Sequence, residues 1–432
     1  MNGTNVAPVG LKKNGRKSRL KTIMNKIKVG VVGCGYWGPN LIRNFRALTD
    51  AHLKTMCDMS QARLKHLKSL YPEVECETDF ARMLASSGLD AVVVATSVKS
   101  HYPLAKAALL AGKHTFIEKP MADSVEHCEE LVEIARRNGL VLMVGHTFLY
   151  SPVVRKIKDI IDKGDIGEIR YISARRLNLG LFQKDINVAW DLAPHDLSII
   201  LSIMGEMPIA VNCRGSAHIT PGIEDVTTMC LTFNKQRSAT IQSSWLDPRK
   251  VREMTIVGSK RMIVYDDLAP LEKIRVHDMR VERPPHYDTF GEFQYSYHYG
   301  DMYAPYIKQE EPLRTECQHF IDCIHGGSTP LSCGTRGTEL VRILEASSAS
   351  LSCGGGAVEF VALHNRNGNG HSNGNGSSFL SAAPGPAGNG NGNGNGNNNG
   401  NNNGNGFRIG GKKRAASNGN KSSEIKIVLD GK

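Results

Sequence analysis

The chain has 432 residues and a formal net charge of +11 at pH 7. This length suits two domains, because a single core usually takes about 100 to 200 residues. The charge lies on the tails: residues 1–26 carry +7 and residues 364–432 carry +6, which leaves −2 for residues 27–363. A nucleic-acid partner is therefore not expected, since it would need a basic face on the folded part.

The 10 cysteines are scattered, without a C-x-x-C pair. This usage is typical of reduced thiols, because a disulfide scaffold would be shorter and denser in cysteine. No stretch reaches the roughly 18 apolar residues of a membrane helix, and the basic N-terminus lacks the apolar segment of a signal peptide. We expect a cytoplasmic protein with no membrane partner.

Residues 27–147 alternate apolar strands with helical patterns. Helices are predicted over residues 39–48 and after Asp123. The predicted strands are residues 27–32, 52–57, 91–95, 114–118 and 141–145. Alternation of this kind implies a parallel, doubly wound sheet with right-handed crossovers.

Residues 148–361 are richer in strands. After a helix over residues 152–163, strands are predicted at 169–177, 210–216, 226–233, 239–245, 254–257 and 262–265. Consecutive strands joined by turns favour a largely antiparallel sheet. Helices near 194–204, 313–325 and 335–352 are expected to cover one face and leave the other open. The predicted fold is an α/β domain followed by an α+β domain with an open-faced sheet.

Both ends of the chain are predicted to be disordered tails. Residues 1–26 are basic, and residues 362–432 are rich in Asn and Gly. Such segments have too little apolar surface to offset the entropy lost on ordering. The stretch at 424–430, EIKIVLD, either docks as a short strand or remains unstructured.

A glycine-rich turn follows the first strand. Gly33, Gly35 and Gly38 form a G-x-G-x-x-G pattern between that strand and a helix. The first glycine permits a tight turn, the second lets the backbone approach a pyrophosphate, and the third lets helix and strand pack closely. The phosphates would lie at the helix N-terminus. The pattern predicts a dinucleotide-binding Rossmann domain, with Tyr36 and Trp37 as further candidate cofactor contacts.

Asp58 is the candidate contact for the adenosine ribose. It lies 20 residues after Gly38, the spacing expected for a carboxylate on the ribose 2′-hydroxyl. A carboxylate there repels a 2′-phosphate, so NAD is expected rather than NADP. Asp58 could instead act as a helix cap ahead of Ser60, and the nearby Arg63 weakens the discrimination.

The tripeptide Glu118-Lys119-Pro120 lies at the end of the predicted strand at 114–118. Together with the glycine turn it resembles the signature of the Gfo/Idh/MocA family (glucose–fructose oxidoreductase and inositol dehydrogenase), and the resemblance extends through most of residues 27–361. It implies that Lys119 is catalytic and contacts the substrate hydroxyl near the nicotinamide, and that Pro120 follows a cis bond. A lysine at the carboxyl end of a parallel strand lies where ligands bind in open α/β sheets.

A second motif is D-x-x-x-H, formed by Asp191 and His195. Residues four apart share one face of a helix. The resemblance assigns the family's assisting aspartate and catalytic histidine to these positions. His195 is then the general base for alcohol oxidation, with an acid limb expected in the neutral pH range, and Asp191 binds substrate.

The sequence departs from the commonest family form in two places. Residues 186–190 replace a glycine-rich run, and Thr96-Ser97 replaces Thr-Pro, so Thr96 and His101 are weaker candidate cofactor contacts. The segment RRLNLGLFQ resembles a branch found with nucleotide-sugar pathways, including amino-sugar 3-dehydrogenases. Its polar side chains could hold sugar hydroxyls or a diphosphate, although an arginine there could also be an ordinary solvated strand residue. These candidates are Arg175, Arg176, Asn178 and Gln183.

No metal site is expected, because His277, His286 and His298 are predicted in a polar loop without paired ligand spacing. The predicted function is NAD-dependent hydride transfer between the nicotinamide and a secondary alcohol of a sugar, in particular a nucleotide sugar. An inositol or free-sugar dehydrogenase is the alternative within this chemistry. A non-catalytic NAD-binding regulator is the alternative of another class. A homo-oligomer formed through the open sheet is also expected.

Overall fold

The computed structural model describes residues 25–85, 88–282, 295–360 and 381–382. In the first part of the chain, six strands form a parallel sheet with the order β3-β2-β1-β4-β5-β6. These strands are β1 (Ile27–Val32), β2 (Ala51–Cys57), β3 (Glu75–Glu77), β4 (Ala91–Val94), β5 (His114–Glu118) and β6 (Leu142–Gly145). The short β3 is a strand that the sequence pattern did not predict. The doubly wound parallel sheet is confirmed.

Helices connect these strands on both sides of the sheet. Two of them begin at serine caps: Ser60 accepts from the Arg63 N–H at 3.4 Å, and Ser124 accepts from the His127 N–H at 3.2 Å. A hydroxyl at the N-cap satisfies a backbone donor that has no partner inside the helix. The helices are α1 (Gly38–Ala47), α2 (Gln61–Leu70), α3 (Phe80–Ala85), α4 (Val98–Leu110) and α5 (Val125–Arg137).

A second sheet of ten strands has the order β14-β13-β12-β11-β7-β10-β9-β8-β15-β16. Its neighbours are antiparallel except for β7 and β10. The strands are β7 (Ile169–Leu179), β8 (Ala210–Ser216), β9 (Val226–Thr232), β10 (Ser238–Ser244), β11 (Leu246–Gly258), β12 (Met262–Asp266), β13 (Ile274–Glu282), β14 (Ser296–Tyr303), β15 (Val358–Glu359) and β16 (Ser381–Ala382). The predicted largely antiparallel sheet is confirmed.

The remaining helices are α6 (Pro152–Asp162), α7 (Val188–Met204), α8 (Pro312–Gly326) and α9 (Gly334–Ser352), with a 3₁₀ turn at Thr147–Tyr150. Side chains of α6, α7 and α9 share one apolar core with the second sheet. Helix α9 also approaches the first sheet, since a Cβ at Gly337 would lie 2.7 Å from Val144 Cγ2. The two sheets are therefore connected by packing as well as by the chain.

The helix near residues 313–325 was expected to cover the second sheet. Helix α8 packs against the first sheet instead. Phe320 packs edge-on against Phe45 and Phe116, with ring centroids 6.2 and 5.8 Å away, in the core of the first sheet. Amphipathic spacing identifies the buried face of a helix, but not the sheet that this face meets. The expectation for residues 313–325 was wrong in this respect.

Where the structure describes it, the predicted polar loop around residues 277–298 consists of parts of two paired strands, β13 and β14. His277 lies in β13 and His298 in β14, where His298 Nε2 is 3.2 Å from Asp278 Oδ2. Tyr297 and Tyr299 lie in β14, which is an edge strand of the second sheet. His286, the two predicted tails (apart from residues 25–26 and 381–382) and the segment at 424–430 lie outside the described residues.

Candidate active site

The glycine-rich turn has the geometry of a phosphate cradle. Gly33 has φ +96°, and a Cβ there would lie 2.5 Å from the Ala95 carbonyl oxygen. A Cβ at Gly38 would lie 1.9 Å from the Gly33 oxygen, whereas one at Gly35 would have only Arg63 Nη1 nearby, at 3.7 Å. Trp37, the N-cap residue of α1, makes no side-chain hydrogen bond to the first turn of the helix. These features fit a dinucleotide pyrophosphate.

Asp58 is fixed at the end of β2 beside this turn. Its Oδ2 accepts from the Cys34 N–H at 2.7 Å, and its Oδ1 accepts from the Ser60 N–H at 2.8 Å. Ser60, and not Asp58, is the N-cap of α2. The carboxylate is thus held beside the glycine-rich turn, while Arg63 lies 3.6 Å away and is mostly exposed.

Lys119 and Asp191 meet although they lie 72 residues apart. The Lys119–Pro120 bond is cis. Lys119 Nζ donates to the Asp191 carbonyl oxygen at 2.8 Å and lies 3.4 Å from its Oδ1. The other carboxylate oxygen accepts from Trp245 Nε1 at 3.1 Å. Three elements therefore meet at the Asp191 side chain: the carboxyl end of β5, the first turn of α7 and the β10–β11 junction.

His195 lies one turn after Asp191 on α7. Its ring is edge-on to Phe148, with centroids 5.2 Å apart, and its Nδ1 is buried without a hydrogen-bond partner among the described residues. Burial, followed by the positive charge of Lys119 and then of Arg176, holds the pKa of His195 well below its usual value. The imidazole is therefore neutral at pH 7, which is the state that a general base requires.

Arg176 is not available to a substrate. It forms a two-point ion pair with Asp196, Nε to Oδ2 at 2.7 Å and Nη2 to Oδ1 at 2.9 Å, and both residues are at most 5% exposed. Its guanidinium lies over the Phe148 ring, 4.7 Å from the centroid. We therefore withdraw Arg176 as a sugar or diphosphate ligand: it supports the ring that faces His195.

The other three substrate candidates are dispersed. Arg175 is exposed on the opposite face of β7 from Arg176, 3.9 Å from Glu253, because neighbouring strand residues point to opposite faces. Asn178 and Trp245 both lie beside Gly180, since a Cβ there would lie 3.1 Å from Asn178 Nδ2 and 2.6 Å from Trp245 Cδ1. Gln183 donates to the Leu181 carbonyl at 3.2 Å. Asn178 is therefore in the neighbourhood of Trp245, whose indole contacts Asp191.

Of the two weaker cofactor candidates, Thr96 and His101, the structure contradicts only His101. His101 is 1% exposed, with Nδ1 2.8 Å from the Pro120 carbonyl oxygen and Nε2 3.0 Å from the Thr96 carbonyl oxygen. A side chain this buried supports the two loops and cannot contact a cofactor directly, so we withdraw that assignment. Thr96 is half-buried and Tyr36 is 86% exposed at the turn.

Two further features lie at the carboxyl ends of β5 and β6: the bond from Trp37 to Glu118, and the buried His146. Trp37 Nε1 donates to Glu118 Oε1 at 2.7 Å. His146, which the sequence analysis missed, follows β6 directly and is 2% exposed, and neither ring nitrogen has a partner among the described residues. Burial, and then the Lys119 charge, lowers the pKa of His146 to about 4. Its position at a carboxyl strand edge was the signal available in the sequence.

A cavity of about 280 Å³ opens beside the first turn of α7. Trp190, which precedes Asp191, forms part of its wall. The charged side chains on the wall are one lysine and three carboxylates: Lys99, Asp123, Asp185 and Glu224. The cavity therefore has a net negative lining, and Lys119, Asp191 and His195 are not among the residues that line it.

Two family matches fall on the two halves of this structure. Residues 27–146 match the family described as oxidoreductase family, NAD-binding Rossmann fold, and residues 154–264 match the Gfo/Idh/MocA C-terminal domain. Together they span just over half of the chain.

Among the described residues, no helix combines the length and apolar character needed to cross a bilayer.

Similar proteins include characterised enzymes. The UDP-N-acetylglucosamine 3-dehydrogenase of Acidithiobacillus ferrooxidans is 27% identical over 57% of this chain and 75% of its own length. The myo-inositol 2-dehydrogenase of Thermotoga maritima is 24% identical over 75% of this chain and 96% of its own length. The solved structure of the former has a TM-score of 0.63 at 23% identity and covers 77% of this chain and 99% of that one, which shows the shared fold. The chain therefore belongs to the Gfo/Idh/MocA family of oxidoreductases with an NAD-binding Rossmann fold.

Proposed function

We propose that this protein catalyses hydride transfer between the nicotinamide of NAD and a secondary alcohol carbon of a sugar. The observation that carries the proposal is the contact of Lys119 with Asp191, one turn before a buried neutral His195, at the carboxyl edge of the parallel sheet. A non-catalytic regulator would not need a cation, a carboxylate and a base at one point beside its nucleotide site.

Each residue of this set has a separate task. Bound NAD supplies the hydride acceptor. The Lys119 ammonium polarises the reacting oxygen, and Asp191 holds the lysine through two oxygens while Trp245 orients the aspartate. His195 accepts the alcohol proton, because its low pKa leaves it unprotonated at neutral pH. The buried Arg176–Asp196 pair supports this end of α7.

For the substrate we propose a nucleotide sugar as the first candidate, supported by the similarity to a UDP-N-acetylglucosamine 3-dehydrogenase. A free sugar or an inositol is the second candidate. One observation favours this second candidate: Arg176, which was offered as a phosphate ligand, is already paired with Asp196. A neutral polyol needs no phosphate ligand.

We also propose NAD over NADP, a cytoplasmic location and a homo-oligomer. The fixed Asp58 carboxylate supports the first, and ten unpaired cysteines support the second. Exposed tyrosines on the second sheet, such as Tyr171 and Tyr299, favour burial against another copy.

The test is a panel of UDP-sugars, inositols and free hexoses assayed for NADH production. We expect turnover of at least one class, and we expect Lys119→Ala to abolish it while NADH binding stays within a few-fold. The lysine contacts the reacting oxygen, whereas the glycine turn holds the pyrophosphate. NADH binding without turnover of any polyol, or full activity in Lys119→Ala, would reject the proposal.

A further inference from the structure

The indole of Trp37 joins the glycine-rich turn to the strand end that carries Lys119. Trp37 lies between Gly35 and Gly38, and its Nε1 donates to Glu118 Oε1 at 2.7 Å. Glu118 is the last residue of β5, and the backbone N–H of Lys119 lies 3.3 Å from its Oε2. One carboxylate therefore connects two motifs that are 81 residues apart.

The position of this carboxylate depends on a glycine. Glu118 pairs with Gly145 across β5 and β6, and a Cβ at Gly145 would lie 2.9 Å from Glu118 Oε2. Glu118 is 8% exposed, so water does not replace a lost partner easily. The absent side chain at position 145 provides the space, and the Trp37 N–H fixes the carboxylate within it.

The connection continues into the second sheet. Lys119 Nζ donates to Asp191, and Asp191 accepts from Trp245. Hydrogen bonds and the backbone of residues 118–119 thus form a continuous path from the cofactor turn to the β10–β11 junction. A displacement of Trp37 would be transmitted first to Glu118 and then to the lysine.

We propose that Trp37 is a positioning residue for Lys119, and that by anchoring Glu118 it couples the placement of the lysine to occupation of the glycine-rich turn by the cofactor. The inference rests on the proposed function of this turn and of Lys119. Trp37 does not contact the reacting atoms in this scheme. It acts through Glu118.

The charge of Glu118 provides the readout. Burial raises the pKa of Glu118 to about 7, while Lys119 and the Trp37 N–H favour the carboxylate. On the α8 side, the groups facing it are Glu316, whose own pKa burial raises strongly, and Cys317. NADH brings negative charge to the turn, which disfavours the carboxylate and raises the pKa of Glu118 further. NADH binding at pH 7 is therefore expected to take up protons.

Calorimetry tests this linkage without a substrate. NADH is titrated at pH 7 in two buffers of different ionisation enthalpy. If the pKa of Glu118 rises by one unit from 7, uptake is about 0.4 proton per site. We expect none in Glu118→Gln. In Trp37→Phe, which loses the N–H together with part of the ring, the pKa of Glu118 starts higher, so uptake falls at pH 7 and returns at higher pH. Tyr265→Phe, which loses only the hydroxyl bond to Asp267 in the second sheet, is the control with wild-type uptake.

The pH profile of kcat/KM tests the positioning role. We expect a limb near pH 7 in the wild type, displaced to higher pH in Trp37→Phe and absent in Glu118→Gln. The double variant should match Glu118→Gln. A purely structural tryptophan would instead lower kcat/KM by one factor at every pH, and this result would overturn the proposal.

The two assays separate this inference from the proposed function. Wild-type proton uptake that persists in Glu118→Gln, or is unaltered in Trp37→Phe, rejects the coupling even if sugars are oxidised. Absence of turnover with normal, Trp37-dependent uptake rejects the proposed function and leaves the anchoring of Glu118 supported. If Trp37→Phe does not fold by circular dichroism, Glu118→Gln, which keeps the shape of the side chain, decides the question alone.

Discussion

His195 shows how strongly the surroundings of a residue determine its chemistry. Because burial and nearby cations lower its pKa, the base is lost only when the pH falls through a value below the neutral range. We expect His195→Asn, which cannot accept the proton, to reduce kcat/KM by about 10² to 10⁴. The low-pH limb should vanish, while the limb near pH 7 from Glu118 remains. A variant that loses only substrate affinity and keeps the low-pH limb would make His195 a binding residue.

Asp58 determines cofactor preference at the same scale. Asp58→Asn removes the charge but keeps an oxygen that can accept from the Cys34 N–H, and it frees the exposed Arg63 to meet a 2′-phosphate. We expect the NADP-to-NAD ratio of kcat/KM to rise about tenfold, which is a modest share of the interaction between two close charges. A wild-type enzyme that already prefers NADP would contradict the role of the carboxylate. Melting temperatures of both proteins serve as the control for folding.

At the scale of elements, α8 is required for the core of the first sheet although it follows the second sheet in sequence. Phe320 is 0% exposed between Phe45 and Phe116. Phe320→Ala should reduce the free energy of unfolding by about 3–5 kcal/mol, as measured by urea titration, because it leaves a large cavity. Tyr306→Ala, at a position that is 90% exposed, should change it by no more than about 0.5 kcal/mol. Equal effects would show that α8 packs elsewhere.

At the scale of the whole molecule, the short pairing of β15 with β16 allows two C-terminal deletions to be compared, one that keeps β16 and one that removes it. Val358 and Glu359 pair with Ala382 and Ser381. Deletion of residues 383–432 should leave the melting temperature and activity nearly unchanged, because an Asn- and Gly-rich composition contributes little core. Deletion of residues 366–432 also removes β16, so any difference between the two proteins measures that pairing. A large fall in melting temperature on the shorter deletion would show that the segment at 424–430 docks.

Local patterns in the sequence were enough to predict the two kinds of sheet and the cofactor turn. Gly33, Gly35 and Gly38 act over a few residues, where the requirements of a tight turn and a close helix leave few alternatives. The same holds for the alternation of strands and helices, because a period of 2.0 or 3.6 residues is a local property. The Gfo/Idh/MocA family could be recognised on these grounds.

Contacts between distant segments were decided only by the tertiary structure. Residue spacing in the sequence does not predict three of these contacts. They are the pairing of Arg176 with Asp196, the bond from Trp37 to Glu118, and the packing of α8 on the first sheet. Each joins residues whose proximity depends on how whole elements pack, and burial then changes their chemistry. The sequence by itself determined which residue types stand at the strand ends, and the fold determined which of them meet, because hydrogen bonds and desolvation act through space and not along the chain.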